Sequence, residues 1–154
     1  MKETRICILG GGGRLWPIQF MKDLAFNPAT KGRVVLYDID YKAAQNNVEV
    51  GNRIMSLNKS GDRFVVEAND NLKTALSGSD IVIISIEPGK TEARYADLIL
   101  PEKYGILQSV GDTTGPGGII RARRALPIFF EFGRLINEHC PEAWVINYTN
   151  PMTL

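Results

Sequence analysis

Short apolar runs alternate with amphipathic stretches along the whole chain, the pattern of strand and helix units that build a mostly parallel sheet. Residues 5–9 form an apolar strand that stops at four glycines, and residues 15–25 then carry apolar side chains at helical spacing. Pro17 falls in the first turn of that helix, where a missing N–H is tolerated. Residues 34–37 predict a second strand, closed by Asp38-Ile39-Asp40 ahead of a polar helix that begins near Tyr41. Alternation over 63–67 predicts a third strand, Asn69 or Asp70 is placed to cap a helix through Ala75, and the apolar run 80–86 predicts a central buried strand. Residues 87–118 are rich in glycine and proline and only weakly periodic, which predicts a long loop or lid carrying ligand contacts. Helical periodicity returns over 119–138, and 143–148 predict one more strand before Thr149-Asn150-Pro151 ends it.

A length of 154 residues suits a single domain, 1–154, with one buried core. The formal net charge of +1 gives no reason to expect nucleic acid or an acidic membrane surface as a partner, so a small substrate is expected. No apolar run approaches the length of a membrane span, and the first residues lead straight into a strand, so a cytoplasmic address is expected. Cys7 lies inside the first strand and Cys140 beside a helix end, without the CxxC spacing of a metal or redox pair. The one histidine, His139, adjoins Cys140, and adjacent residues at a helix terminus seldom aim at one ion. No metal ligand is assigned within the chain.

The chemistry concentrates at strand ends. Gly10-Gly11-Gly12-Gly13 follows the first strand and opens the first helix, where a dinucleotide fingerprint belongs. Gly10 permits the tight turn, Gly12 has no side chain to hold the backbone off a pyrophosphate, Gly13 continues the bend, and the helix N-terminus offers amides and partial positive charge to phosphates. The third glycine of GxGxxG is replaced by Leu15. Asp38 ends the second strand at the distance where an acid meets the ribose hydroxyls of NAD and disfavours the extra phosphate of NADP. The expected fold is therefore α/β, a Rossmann-like doubly wound and mostly parallel sheet with helices on both faces, and the expected cofactor is NAD. Ser85, just after the fourth strand, is a candidate for the nicotinamide side, although Pro88-Gly89 also makes this an ordinary turn. In 108–118 many glycines surround Asp112, which suggests backbone packed against a ligand, or else a surface loop. Asn150 places an amide past the last strand, where it suits vicinal sugar hydroxyls or simply makes a turn with Pro151.

Together VLYDID (35–40), YGILQSVGDTTGPGG (104–118), IIRARRALPIF (119–129) and WVINYTNPM (144–152) resemble family-4 glycoside hydrolases across nearly the whole chain. The QSVGDT and NYTNPM wording is similar to the α-galacturonidase branch rather than the phospho-glucosidase branch. The resemblance implies an NAD-dependent glycosidase that departs from the two-carboxylate pattern. In that mechanism the sugar loses a hydride to NAD⁺ at C3, a tyrosine removes the acidified C2 proton, and the C1 group leaves. Water then adds and the hydride returns, with a divalent metal, usually Mn²⁺, stabilising the enediolate.

Residue by residue, the resemblance implies that Gly10 and Gly12 hold the pyrophosphate, Asp38 the ribose and Asn150 the sugar hydroxyls. Asp112 matches the acid that tunes the tyrosine base, and Arg94 aligns with a substrate-contacting arginine of the phospho-sugar branch or else is an ordinary solvated arginine. Arg121, Arg123 and Arg124 start a helix and are placed for a uronate carboxylate, with solvent exposure or a subunit contact the default for such a cluster. The resemblance places the metal ligands and the tyrosine in a C-terminal catalytic part absent from these residues, so this chain alone is expected to be inactive; a homo-oligomer is expected, with its order left open. Two other readings stay open: a lactate- or malate-type dehydrogenase domain, against which the GDTTGPGG loop argues, and a non-catalytic nucleotide-binding module.

Overall fold

The computed structural model describes residues 3–58, 63–150 and 152. Pro151, read as ending the last strand, lies outside them, as do Met1 and Lys2. Two compact units emerge, residues 1–86 with 135–148, and residues 87–134 with 149–154.

The first unit is built on β1 (Glu3–Leu9), α1 (Trp16–Phe26), β2 (Lys31–Tyr37), α2 (Tyr41–Leu57), β3 (Phe64–Ala68), α3 (Leu72–Leu76), β4 (Ile81–Ile84) and β5 (Trp144–Asn147). All five strands are parallel, in the order β3-β2-β1-β4-β5. Successive strand residues point to opposite faces, so the complete burial of Val34, Val35 and Leu36 in a row means that both faces of β2 are covered. Right-handed crossovers from β1 to β2 and from β2 to β3 place α1 and α2 on one face, while the return from β3 to β4 sends α3 to the other. This is the doubly wound arrangement that the alternating pattern predicts. The core lies between the sheet and α1 and α2, with Met21, Leu24, Ala44 and Met55 packed on Ile6, Ile8, Val34, Leu36, Phe64 and Val66. β3 alternates as expected, Phe64 and Val66 inward and Val65 outward, whereas β5 leaves Trp144, Val145 and Ile146 exposed.

Strand register brings the candidate residues together. Leu9 pairs with Tyr37 on one side and Ile84 on the other, so β1, β2 and β4 finish level. The next residues in each strand are Gly10, Asp38 and Ser85.

The second unit holds α4 (Lys90–Ile99), a 3-10 turn (Leu100–Tyr104) and most of α5 (Pro116–His139), whose last turn belongs to the first unit. Two expectations are corrected here. Residues 87–118 are not one long loop, because α4 and the 3-10 turn occupy 90–104. Periodicity missed α4 because its buried residue is Asp97, a carboxylate paired with Arg124, rather than an apolar stripe. The cap of α3 is Asn71, whose side chain accepts from Thr74 N–H at 3.2 Å, and Asn69 instead accepts from Asn71 N–H at 2.9 Å to shape the preceding turn.

Candidate functional site

The order β3-β2-β1-β4-β5 reverses direction between β1 and β4, and open parallel sheets bind ligands outside the carboxyl ends of the strands at such a point. Gly10 and Ser85 face each other there. Gly10 has φ +94°, and a Cβ on it would lie 1.9 Å from the Ser85 carbonyl oxygen, so glycine is required both by conformation and by contact. Gly10 and Gly11 N–H both donate to Tyr37 O at 2.9 Å, and Gly13 N–H donates to Gly10 O at 3.1 Å. The turn is thus bound to the end of β2 and closed on itself.

Asp38 meets the same turn. Its Oδ2 accepts from Gly12 N–H at 2.9 Å and its Oδ1 from Asp40 N–H at 3.0 Å. A Cβ on Gly12 would lie 2.9 Å from both Ala43 Cβ and Asp38 Oδ2, so Gly12 lets the bend settle on the acid and on the start of α2. Gly13 is exposed. The missing third glycine has a structural explanation: Leu15 is the N-cap of α1 and is 75% exposed, so it packs against no strand. Close approach to the sheet occurs instead at Gly11, where a Cβ would sit 2.7 Å from Leu36 Cβ. Among the described residues, the amides of Arg14, Leu15 and Trp16 have no hydrogen-bond partner. They lead into α1, whose N-cap side chain makes no capping bond, which leaves donors and a partial positive charge for an anion.

Sequence reasoning overlooked Asn47 in α2. Its Nδ2 donates to both Gly11 O and Gly13 O at 2.8 Å, and the residue is 7% exposed. Burial raises the Tyr37 hydroxyl above its ordinary pKa, with Asp38 adding to the effect.

In the second unit, Asp112 and the backbone of Asn150 meet at one side chain. Arg121, 3% exposed, donates to Asp112 Oδ2 at 2.9 Å, Glu87 Oε2 at 2.7 Å and Asn150 O at 2.6 Å. A buried guanidinium needs this many acceptors. Arg121 and Arg124 therefore have internal partners: Arg124 forms a fork with the Asp97 carboxylate at 3.0 and 2.5 Å and donates through Nε to Pro88 O at 2.9 Å. The bond to Asp97 raises the Arg124 pKa further. Pro88-Gly89 does make the turn anticipated as the plain alternative, with Gly89 at φ +92° capping α4. Arg123 is exposed. Arg94 is exposed on α4 and makes no hydrogen bond or ion pair with Asp112 or Asn150 among the described residues.

The glycines around Asp112 make room for the protein itself. Cβ atoms on Gly111, Gly115 and Gly117 would lie within 2.3–2.6 Å of the Gln108 side-chain amide, so the segment wraps around Gln108.

Comparison with known proteins bears on both units. The model of the family 4 glycosyl hydrolases matches residues 5–154. An alpha-galacturonidase of Thermoanaerobacterium saccharolyticum is 50% identical over 152 residues, covering 99% of this chain and 33% of that protein. A solved crystal structure from Bacillus subtilis matches with a TM-score of 0.90 at 50% identity, over 99% of this chain and 34% of that one. The 6-phospho-beta-glucosidase of Thermotoga maritima, solved with manganese, NAD⁺ and glucose-6-phosphate, matches with a TM-score of 0.81 at 31% identity, over 96% and 35%. The chain spans about a third of the length of the curated relatives it matches. With the family match running from residue 5 to residue 154 over a five-stranded parallel sheet of Rossmann type, the chain belongs to the family 4 glycosyl hydrolases.

Proposed function

We propose that this chain is the NAD-holding domain of a glycosidase that cleaves α-galacturonides by transient oxidation at C3. The observation that carries the reading is the level finish of β1, β2 and β4, which gathers Gly10, Asp38 and Ser85 at the switch point of the sheet. The residues present suit a dinucleotide: a bend with no room for a Cβ at Gly10, Gly11 or Gly12, three unpartnered amides leading into a helix, and an acid at the end of β2. NAD⁺, when bound, supplies a hydride acceptor that is restored within each turnover. Gly10, Gly12 and Gly13, with the amides of residues 14–16, bind the diphosphate. Asp38 accepts from the ribose hydroxyls and repels the extra phosphate of NADP, and Ser85 lines the nicotinamide side.

Asp112, held by Arg121, tunes the tyrosine base supplied by the rest of the complete protein. Asn150 binds sugar hydroxyls and Arg94 contacts substrate. Among the described residues no three His, Cys, Asp or Glu side chains group to hold a metal. In this reading the divalent cation, Mn²⁺, would take its ligands from the rest of the complete protein. A homo-oligomer in the cytoplasm, acting on a small carbohydrate, completes the proposal; none of the described helices is long and apolar enough to cross a membrane. The dehydrogenase alternative has less support, since half-identical relatives are named as galacturonidases.

The test uses the complete gene product with Mn²⁺ and nitrophenyl α-galacturonide, α-galactoside and 6-phospho-glucosides. The expected result is cleavage of the uronide, dependent on NAD⁺, without accumulation of NADH. Preference for a phosphorylated glucoside would overturn the substrate, and stoichiometric NADH would overturn the reaction.

A further inference from the structure

We infer that Asn47 is a positioning residue for diphosphate binding, the part that holds the glycine turn in its anion-binding shape before the ligand arrives. This role rests on the cofactor reading above and adds to it a residue from α2, outside the turn itself.

The turn presents two kinds of backbone group. Its carbonyls would repel a diphosphate, while its amides attract one. Asn47 uses both hydrogens of one Nδ2 on two of these carbonyls, Gly11 O and Gly13 O, each at 2.8 Å. Those carbonyls are therefore turned toward α2, and the peptide units between them are fixed in orientation. With Gly10 O taken by Gly13 N–H, the carbonyls of Gly10, Gly11 and Gly13 all have internal donors, while the amides of residues 14–16 have no partner among the described residues. Four glycines in a row would otherwise carry large backbone freedom, and ordering them at binding would weaken affinity.

The placement on α2 is specific. Ala44, Asn47, Gly51 and Met55 form its buried face, and Asn47 is the polar member. An amide suits the position because it supplies two donors from one atom. Asn52, on the same helix, makes a comparable two-way bond to the backbone of Val66 in β3, 3.1 Å as donor and 3.2 Å as acceptor, remote from the turn. It provides the control.

The experiment measures dissociation constants of the complete gene product for NAD⁺, ADP and adenosine by calorimetry and ligand-observed NMR, in wild type, Asn47→Ala, Asn47→Leu and Asn52→Ala. Asn47→Leu keeps most of the side-chain volume should the alanine variant fail to fold. Loss of two hydrogen bonds that preorder the turn raises the NAD⁺ and ADP constants on the order of tenfold. The adenosine constant stays within about twofold, since adenosine has no phosphate to meet the turn, and Asn52→Ala changes none of the three. Equal weakening of adenosine would make Asn47 a general structural residue and overturn the inference, as would unchanged NAD⁺ affinity in a folded variant. Wild type that binds adenosine but not NAD⁺ or ADP would overturn the cofactor reading itself, a distinct failure.

Discussion

Replacing Gly10 by alanine tests the closest contact in the site. The perturbation has two parts. At φ +94° a Cβ strains the backbone, which costs about 1–2 kcal/mol for an L-residue in the left-handed region. The same Cβ would stand 1.9 Å from the Ser85 carbonyl oxygen, well inside the 3.0 Å below which something must shift, and the obstacle is backbone rather than a flexible side chain. Relieving such overpacking costs about 1–3 kcal/mol more. Gly78 separates the two parts, because it has φ +68° and an added Cβ would meet nothing within 4 Å. Gly78→Ala is therefore expected to lose about 1–2 kcal/mol and Gly10→Ala about 2–5 kcal/mol in equilibrium denaturation. Only Gly10→Ala should also weaken NAD⁺, since parting β1 from β4 displaces the turn. Equal destabilisation by the two substitutions, with NAD⁺ affinity intact in both, would refute the argument that β1 and β4 are in contact through Gly10.

Other consequences concern charge and burial. Arg121→Met should cost about 3–5 kcal/mol, because it strands two carboxylates and a carbonyl that share one guanidinium; loss of less than about 1 kcal/mol in denaturation would show that solvent replaces it readily. Asp38→Ala should weaken NAD⁺ about tenfold and narrow its advantage over NADP⁺, read by parallel titrations; an unchanged ratio would remove the acid from cofactor choice. Burial pushes the Cys7 thiol from 9.0 up to about 12. Its folded pKa thus exceeds its unfolded one, so the stability it contributes is intact below about pH 9 and is lost as pH rises toward 12. Cys7→Ala should flatten that alkaline slope, and in wild type the thiol should resist Ellman's reagent at about pH 8 unless the protein is denatured.

What could be read from the sequence was whatever is local along the chain. The strand, glycine bend, helix start and Asp38 sit within one βαβ unit, and their order alone indicates a phosphate and ribose site. Asn47 was not legible because nothing in its neighbourhood marks a polar residue as bonded to a turn more than thirty residues earlier. A signal did exist in the spacing of Ala44, Asn47, Gly51 and Met55, which puts an amide on an otherwise apolar helix face. Arg121 and Arg124 read as a basic cluster for substrate or solvent, yet their carboxylate partners lie on segments 9 to 34 residues away and only folding reveals them. The glycines near Asp112 suggested a ligand, and the structure fills that space with Gln108.

A crystal of the complete gene product soaked with NAD⁺ shows whether the glycine bend and Asp38 hold a nicotinamide dinucleotide. The diphosphate is expected over the amides of residues 14–16, with the adenosine ribose against the Asp38 carboxylate. A dinucleotide bound anywhere else, with Gly12 N–H still on Asp38 and no density over the bend, would contradict that placement.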